Sequence, residues 1–502
     1  MSLSLDLLAQ GFAQAVTPEN LLYALIGCLV GTLIGVLPGI GPTSGIAILL
    51  PLTTVLPPTS AIIMMAAVYY GAMYGGSTTA IVVNIPGEAS SVPTAIDGYE
   101  LAKQGRAGAA LGMAAIASFV AGTLSLIGLT VFAPLLASVA LAFGPPEYFA
   151  LMVMSLLLAV SLSERALLKG AVALVIGVLT ATIGLDPVTG LRRLTFGSVT
   201  LMAGINFVSV VIGLFAISEL LVNVEQSVRH IYDTRKLGTW LPTREDLRES
   251  IGTMMRASGI GFALGLLPGF SPAVTTFVAY DVEKRLAKDP SRFGRGAMQG
   301  VVAAEGANNA TCSGGFVPLF AIGVPSSPPL AVLLGALLMF GLQPGPRLFE
   351  ENPQFVWTVI ASMYVGNVIL LALNLPLVGV WARIALIPFP ILGPIILLCS
   401  VIGAYSVRFL LFDVWMTVLF GIIGYVLRKT GYPLAPIVLA SVLTPTLETS
   451  LKQSLILSDG SLSIFVTRPL TAAILLVTVM LVVATLRRSW KAKGYSAAQV
   501  DD

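Results

Sequence analysis

The sequence predicts an all-α polytopic membrane protein of roughly 10–12 membrane segments, arranged as two inverted-topology repeats with re-entrant hairpins and broken helices. Three observations carry that prediction. Of the 502 residues, 56% are hydrophobic and only 11% charged, whereas a soluble domain carries about 25% charged residues. The basic residues gather in a few clusters, which mark one side of a membrane. A helix-breaking sequence also recurs inside apolar runs, as GTLIGVLPGIGP from Gly31 and GFALGLLPGFSP from Gly261.

The spans come first. Apolar stretches at 107–131, 199–222, 354–375 and 466–486 are each long enough to cross a bilayer as a helix. The generous glycine and proline content suits such helices, because neighbouring segments satisfy the backbone groups that these residues free. Cys28, Cys312 and Cys399 lie far apart in apolar surroundings and read as small core residues. The N-terminus carries Asp6 and no basic region, so no secretory signal is expected. The net charge of +3 reflects topology markers and gives no reason to expect nucleic acid as a partner.

Lysine and arginine then orient the chain. Arg229, Arg235, Lys236, Arg244, Arg248 and Arg256 fill one polar segment, and Lys284, Arg285, Lys288, Arg292 and Arg295 the next. Both are expected to be cytoplasmic. The short stretch between them holds GLLPGFSP at its centre, so a hairpin broken at Leu267-Pro268-Gly269 returns the chain to the side it left. The flanks of the first copy, residues 1–20 and 51–60, hold no Lys or Arg. That hairpin is expected to enter from the opposite side, and two related hairpins of opposite orientation are the mark of an inverted repeat.

The two copies share Gly31/Gly261, Gly35/Gly265, Leu37/Leu267, Pro38/Pro268, Gly39/Gly269 and Pro42/Pro272. Downstream, GGSTTAIVVNIPGEASSVP from Gly75 matches GGFVPLFAIGVPSSPPLAV from Gly314 through Gly75/Gly314, Gly76/Gly315 and Pro86/Pro325. These Gly-Gly…Pro segments are also expected to be interrupted rather than continuous spans. The organisation that follows is a first membrane repeat over 1–222, a basic cytoplasmic linker over 223–249 and a second membrane repeat over 250–450. The last transmembrane helix and a basic tail fill 451–502.

A helix broken in mid-membrane offers backbone N–H groups to a carboxylate at one end and C=O groups to Na⁺ or H⁺ at the other. Candidate substrate ligands beside the breaks are Gly39, Thr43, Ser44, Ser77, Thr78 and Asn84 in the first half. In the second they are Gly269, Ser271, Asn308, Asn309, Ser326 and Ser327, with Thr79, Thr275, Thr276 and Ser313 nearby. Ser and Thr in membrane helices commonly bond back to their own helix; the clustering of STT at 77–79 and NNATCSGG at 308–315 beside Gly/Pro breaks singles these out. Candidate coupling-ion positions are Pro38, Pro268, Thr311 and Glu305.

Ionisable residues in apolar context are Glu88, Asp97, Asp186, Glu219, Asp281, Glu305, Arg383, Arg408 and Asp413, and an intramembrane charge is a functional candidate. Glu305 leads as a cation or proton site, with Glu88 as its counterpart; Asp281, Arg383 and Arg408 fit an interfacial position. There is no G-x-x-x-x-G-K-[ST] for ATP and no H-E-x-x-H. The single histidine, His230, sits in the basic linker, away from any membrane serine. No catalytic residue, cofactor or metal cluster is expected beyond Na⁺.

The blocks GTLIGVLPGIGPTSGIAILLPLT, GGSTTAIVVNIPGEASSVPTAIDGYELAKQGRAGAALG, GFALGLLPGFSPAVTTFVAYDVEKRLAKDP and EGANNATCSGGFVPLFAIGVPSSPPLAVLLGALLMFGLQPGPRLF resemble the large membrane subunit, TctA type, of the tripartite tricarboxylate transporters. The resemblance implies a permease of the bacterial inner membrane that is not an enzyme. It also implies a small membrane subunit and a periplasmic solute-binding protein as partners. The expected activity is uptake of tricarboxylates or related carboxylates, Na⁺-coupled, by alternating access. The competing readings are a cation- or proton-coupled carrier of another organic anion without a binding protein, a passive channel, and an intramembrane enzyme or lipid flippase.

Overall fold

The computed structural model describes residues 2–37, 41–161, 167–225, 241–267, 269–384 and 389–498. Among these the chain is helical almost throughout. The first half opens with α1 (Ser2–Ala15), α2 (Pro18–Val36), α3 (Pro42–Thr53), α4 (Pro58–Val83), α5 (Val92–Lys103) and α6 (Ala107–Ala140). It continues with α7 (Pro145–Ser161), α8 (Leu167–Thr182) and an antiparallel pair, β1 (Gly184–Leu185) with β2 (Arg192–Arg193). After α9 (Val199–Met202) comes one helix in three parts: α10 (Phe207–Val211), a π turn over Ile212–Ile217, and α11 (Ser218–Glu225).

The second half runs α12 (Arg244–Gly265), α13 (Pro272–Leu286), α14 (Met298–Ile322), α15 (Pro328–Met339), α16 (Pro346–Glu351), α17 (Pro353–Asn374) and α18 (Val378–Ile384). The chain ends in α19 (Phe389–Ser406), α20 (Leu411–Lys429), α21 (Ala435–Leu457), α22 (Ile464–Thr467) and α23 (Pro469–Ala498). Helix α12 starts at Arg244, inside the segment read as linker.

Five helices among the described residues are long and apolar enough to cross a membrane: Pro18–Val36, Ala107–Ala140, Phe207–Glu225, Pro353–Asn374 and Leu411–Lys429. The chain is therefore a multi-pass membrane protein. Two further helices, α4 with 26 residues and α14 with 25, are each about 38 Å long at 1.5 Å per residue. Their Gly, Ser, Thr, Tyr and Asn content keeps them out of the apolar class. Their surroundings explain why. Only Pro58, Thr59 and Val82 of α4, and only Gln299 of α14, are not buried. A helix enclosed by protein has no need of a lipid-facing apolar surface.

The helix stops at Val36 and restarts at Pro42 in the first copy; in the second it stops at Gly265 and restarts at Pro272. Both interruptions fall where the Leu-Pro-Gly steps predict them. Proline at the first helical position costs no hydrogen bond and presets φ for the restart. After each break the chain comes back to its starting end. The Ser60 hydroxyl, at the start of α4, donates to Asn20 Oδ1 at the start of α2 over 2.8 Å. The Gln299 amide, at the start of α14, donates to Glu249 near the start of α12 over 2.9 Å.

The glycines shared by the two copies make matching contacts. A Cβ on Gly31 would collide with the carbonyl of Val68, and one on Gly261 with that of Ala307. Gly35 meets Ala72 as Gly265 meets Thr311, and Gly75 meets Thr32 as Gly314 meets Phe262. Each partner sits at the same offset in its own half, 239 residues on for α4 and α14 and 230 for α2 and α12. Small residues let two membrane helices approach backbone to backbone.

The Gly-Gly pairs correct one expectation. Gly75-Gly76 and Gly314-Gly315 lie within unbroken helices, because they serve close packing rather than a turn. The interruptions come later, at Asn84 (φ 56°) and Gly323 (φ 72°). There Ile85 N–H donates to Thr79 O and Val324 N–H to Pro318 O, each reaching back six residues. Each closure is one residue wider than a Schellman bond, and it likewise turns on a left-handed residue at the helix end.

Candidate functional site

Helices α4 and α14 lie against each other at the centre of the molecule, and a polar seam runs between the halves. Tyr70 of α4 donates to Ser313 of α14 over 2.6 Å, and the Tyr69 hydroxyl lies 3.2 Å from that of Ser327. Tyr74 donates to Asn367 of α17 over 3.0 Å. Ser77 of α4 and Thr94 of α5 donate to the two carboxylate oxygens of Glu305, which is fully buried. The Asn309 amide donates to Ser118 of α6 over 2.8 Å, and the Asn308 amide points at Glu88 over 3.5 Å.

Beside Glu305 a small crevice opens between Tyr74, Ser77, Thr78, Ser118, Asn374 and Val378. It has room for about one water-sized species, far less than a dicarboxylate or tricarboxylate needs. The seam is closed in this conformation.

The structure brings Ser77, Thr78, Glu305, Asn308, Asn309 and Ser327 together at this seam. Ser326 is buried, and its hydroxyl faces Gly315. Thr311 is turned away: its hydroxyl donates to Ala307 O and Gly261 O, within the α12–α14 contact. Thr275 and Thr276 bond back to their own helix. Thr43 and Ser44 are buried in the first turn of α3, and Ser271 precedes α13 two residues after Gly269 (φ 89°). Asn84 is exposed, and its place in the sequence is accounted for by the left-handed helix end. Pro38, Gly39, Pro268 and His230 lie outside the described residues.

Sequence reasoning missed Tyr69, Tyr70, Tyr74, Thr94, Ser118, Asn367 and Asn374. A signal for the tyrosines was present: VYYGAMYGG puts three hydroxyls in an apolar run next to the matched glycines.

Most remaining ionisable candidates resolve into ion pairs. Arg408 pairs with Asp413, and Arg428 with Glu219. Asp281 pairs with Arg285 on the surface over 2.8 Å, and Arg383 is exposed. Asp186, in the β1–β2 turn, is bound by Lys452 and lies 3.7 Å from Arg193. The Lys452 hydrogen bond holds the Asp186 carboxyl well below the usual carboxylate range.

Asp97 differs from all of these. It is fully buried on α5, three residues beyond Thr94. Its Oδ1 accepts the backbone N–H groups of Gly294, Gly296 and Ala297 at 2.8–2.9 Å, and its Oδ2 accepts the Tyr280 hydroxyl at 2.8 Å. The Arg106–Asp246 ion pair reinforces the contact over 2.7 Å, as does the Gln104 amide donating to Arg295 O over 3.0 Å. One end of the seam is thus latched shut between α5 of the first half and the 287–297 turn of the second.

Comparison with known proteins adds a family. The model of the "Tripartite tricarboxylate transporter TctA family" matches residues 21–439. An "uncharacterized 52.8 kDa protein in TAR-I ttuC' 3'region" of Agrobacterium vitis is 45% identical over 487 residues, covering 97% of both chains. A second protein of that organism, from the TAR-II ttuC' 3'region, is 40% identical over 242 residues, 48% of this chain and the whole of its own length. No solved structure matches the chain.

Proposed function

This chain belongs to the tripartite tricarboxylate transporter TctA family, a family of transporter subunits rather than enzymes, and from that premise we propose that it is a carboxylate permease of the bacterial inner membrane. A periplasmic solute-binding protein delivers the carboxylate, and a small membrane subunit completes the system. Uptake is coupled to Na⁺ and proceeds by alternating access.

The observation that carries the reading is the polar seam. Two halves with matched glycine contacts meet there through hydroxyl, amide and carboxylate side chains buried at mid-helix. Polar groups are costly in a membrane protein's interior unless they have a task or a partner. The hairpins α2–α3 and α12–α13 enter from opposite sides, because basic residues flank only the second. At the second break Gly269 is the candidate backbone N–H donor to the substrate carboxylate, and its counterpart Gly39 lies outside the described residues. The proposed charged ligand of the ion is Glu305, the Pro38 and Pro268 candidates lie outside the described residues, and Thr311 holds the helix contact in this conformation.

The closed seam and its one-sided latch fit a carrier that opens to one side at a time. Uptake of a labelled carboxylate into proteoliposomes holding the full system tests the reading. Asn308→Ala and Ser326→Ala should each lower uptake by about tenfold or more, the scale of a lost hydrogen bond to a charged group, with membrane insertion intact. Wild-type uptake in both variants would remove the seam from the transport path.

A further inference from the structure

Apolar side chains exposed on the membrane spans are covered by lipid. The segment 183–206, between α8 and α10, carries a second set outside the spans. Leu191, Leu194, Phe196 and Val199 are exposed there, Phe196 by 86% and Val199 by 79%. Leu194 (φ 51°) and Phe196 (φ 47°) are also left-handed, one on each side of buried Thr195, and Gly197 (φ 77°) follows them. A bulky residue at positive φ is an outlier, and such strain gathers at functional surfaces. No other part of the described chain covers these side chains.

The β1–β2 hairpin beneath them is pinned. The buried Asp186 carboxylate accepts the N–H groups of Val188 and Thr189 at 2.9 Å, and Arg193, Lys452 and Glu448 complete a cluster of four charges with it. The neighbouring Arg192 is exposed, and its guanidinium makes no hydrogen bond or ion pair among the described residues. The side of the membrane follows from two spans. Glu219 and Glu225 of α11 pair with Arg428 and Lys429 at the end of α20, beside the basic linker. The Phe207–Glu225 and Leu411–Lys429 spans therefore start together on the opposite side, where Arg408 donates to Gly204 O over 3.4 Å. The hairpin lies at that end, which the distribution of Lys and Arg makes the outer one.

We propose that Leu191, Arg192, Leu194, Phe196 and Val199 form the docking surface for a soluble protein outside the membrane, one that presents an apolar pocket rimmed by carboxylates. Exposed aromatic and aliphatic anchors beside an arginine have the composition of an interface centre. The free charge of Arg192 calls for acidic groups across from it. A bilayer surface also takes up apolar side chains, but a fluid has no fixed shape to match, so it would not select a strained backbone pinned by four charges. A folded pocket would, because a surface already in its bound shape loses less freedom on docking. The solute-binding protein is the partner that fits this description; its identity rests on the carrier reading above, whereas the surface does not.

The test titrates the full system, held in nanodiscs, with its carboxylate-loaded solute-binding protein. Leu194→Asn and Phe196→Asn should each weaken binding by about tenfold or more, as loss of an interface anchor does. Their unfolding temperatures should stay level or rise, because Asn accepts a left-handed backbone more readily than Leu or Phe. A merely structural role for these residues would not separate the two readouts. Arg192→Glu should also weaken binding, and should flatten the loss of affinity that salt causes in wild type. In proteoliposomes, excess binding protein should restore uptake by Phe196→Asn. Wild-type affinity in all three variants overturns the docking surface and leaves the carrier reading standing. A wild type that transports without ever binding the solute-binding protein overturns the surface and the delivery step together. Greater quenching of Phe196→Trp than of wild type by brominated lipid would place the patch in the bilayer, and the proposal falls.

Discussion

Helices α4 and α14 occupy corresponding places in the two halves, yet they carry different chemistry. At the offset of 239 residues set by their glycines, Tyr69, Tyr70 and Tyr74 on α4 correspond to Asn308, Asn309 and Ser313 on α14. Ser77 and Thr78 correspond to Phe316 and Val317, and Glu305 to Ala66. The backbone contact has been kept while the polar surface has been divided. One helix supplies long hydroxyl donors; the other supplies amides and the buried acid.

The glycines give the sharpest way to break this comparison. Gly35→Val and Gly265→Val both drive side-chain atoms into a partner backbone, at 2.1 Å and 2.7 Å from the nearest carbonyl oxygen, and each should cost about 3 kcal/mol, Gly35→Val the more. Yield of monodisperse protein in detergent should collapse for both. Collapse of one alone would mean that the two contacts are not equivalent.

Asp97 has no acidic counterpart in the second half, where Ala336 stands at the same offset. Asp97→Asn keeps one acceptor but loses the charge that three backbone N–H groups address. It should destabilise the protein by about 2–3 kcal/mol, the worth of hydrogen bonds to a charged group. The thermal unfolding midpoint reports the cost, and faster labelling of Ser77→Cys from the side of the 287–297 turn reports a loosened latch. Ala336→Asp should bring no matching gain.

The tyrosine–amide pairing is worth less. Tyr70→Phe removes the hydroxyl that donates to Ser313, which keeps its own bond to Asn309 O; the expected loss is about 1 kcal/mol. Tyr74→Phe strips Asn367 Oδ1 of its donor and should cost more than Tyr70→Phe. Paired unfolding curves rank the two, and the reverse order would contradict the seam drawn here.

The smallest effect comes from outside the matched pair and serves as its pH control. Lys452 lowers the folded-state value of Asp186 below its unfolded value. The stabilisation is therefore present above the ordinary Asp range and is lost only as pH falls through the depressed value. Lys452→Met should move the acid loss of β1–β2 structure to higher pH, seen as earlier protease cleavage near 186–193. An unmoved profile would mean that Lys452 does not hold the turn.

The breaks at 37–41 and 266–271 were legible because glycine and proline act on the backbone within a few residues of themselves. The same locality explains the misreading of Gly75-Gly76 and Gly314-Gly315: Gly75 and Gly314 pack on a helix about 40–50 residues earlier, Gly76 and Gly315 on the Glu88 and Ser326 side chains, and neither contact is visible to local rules. Of the seam, Ser77, Glu305, Asn308 and Asn309 could be named because polar residues in apolar runs stand out. Their partners could not. Thr94 reaches Glu305 across 211 positions and Asn367 reaches Thr123 across 244, and only the fold selects such pairs.

Asp97 also bears on how the chain is made. The three amides that ligate it are 197–200 residues further along, so at about 5–20 residues per second a ribosome needs roughly 10–40 s to supply them. Throughout that interval the first half sits in the bilayer with a carboxylate that the finished protein encloses completely. The nascent intermediate must keep α5 near the aqueous boundary until the 287–297 turn emerges. Quality control of this protein therefore has a natural checkpoint: an N-terminal half released before residue 297 carries an Asp97 whose amide partners have not been made.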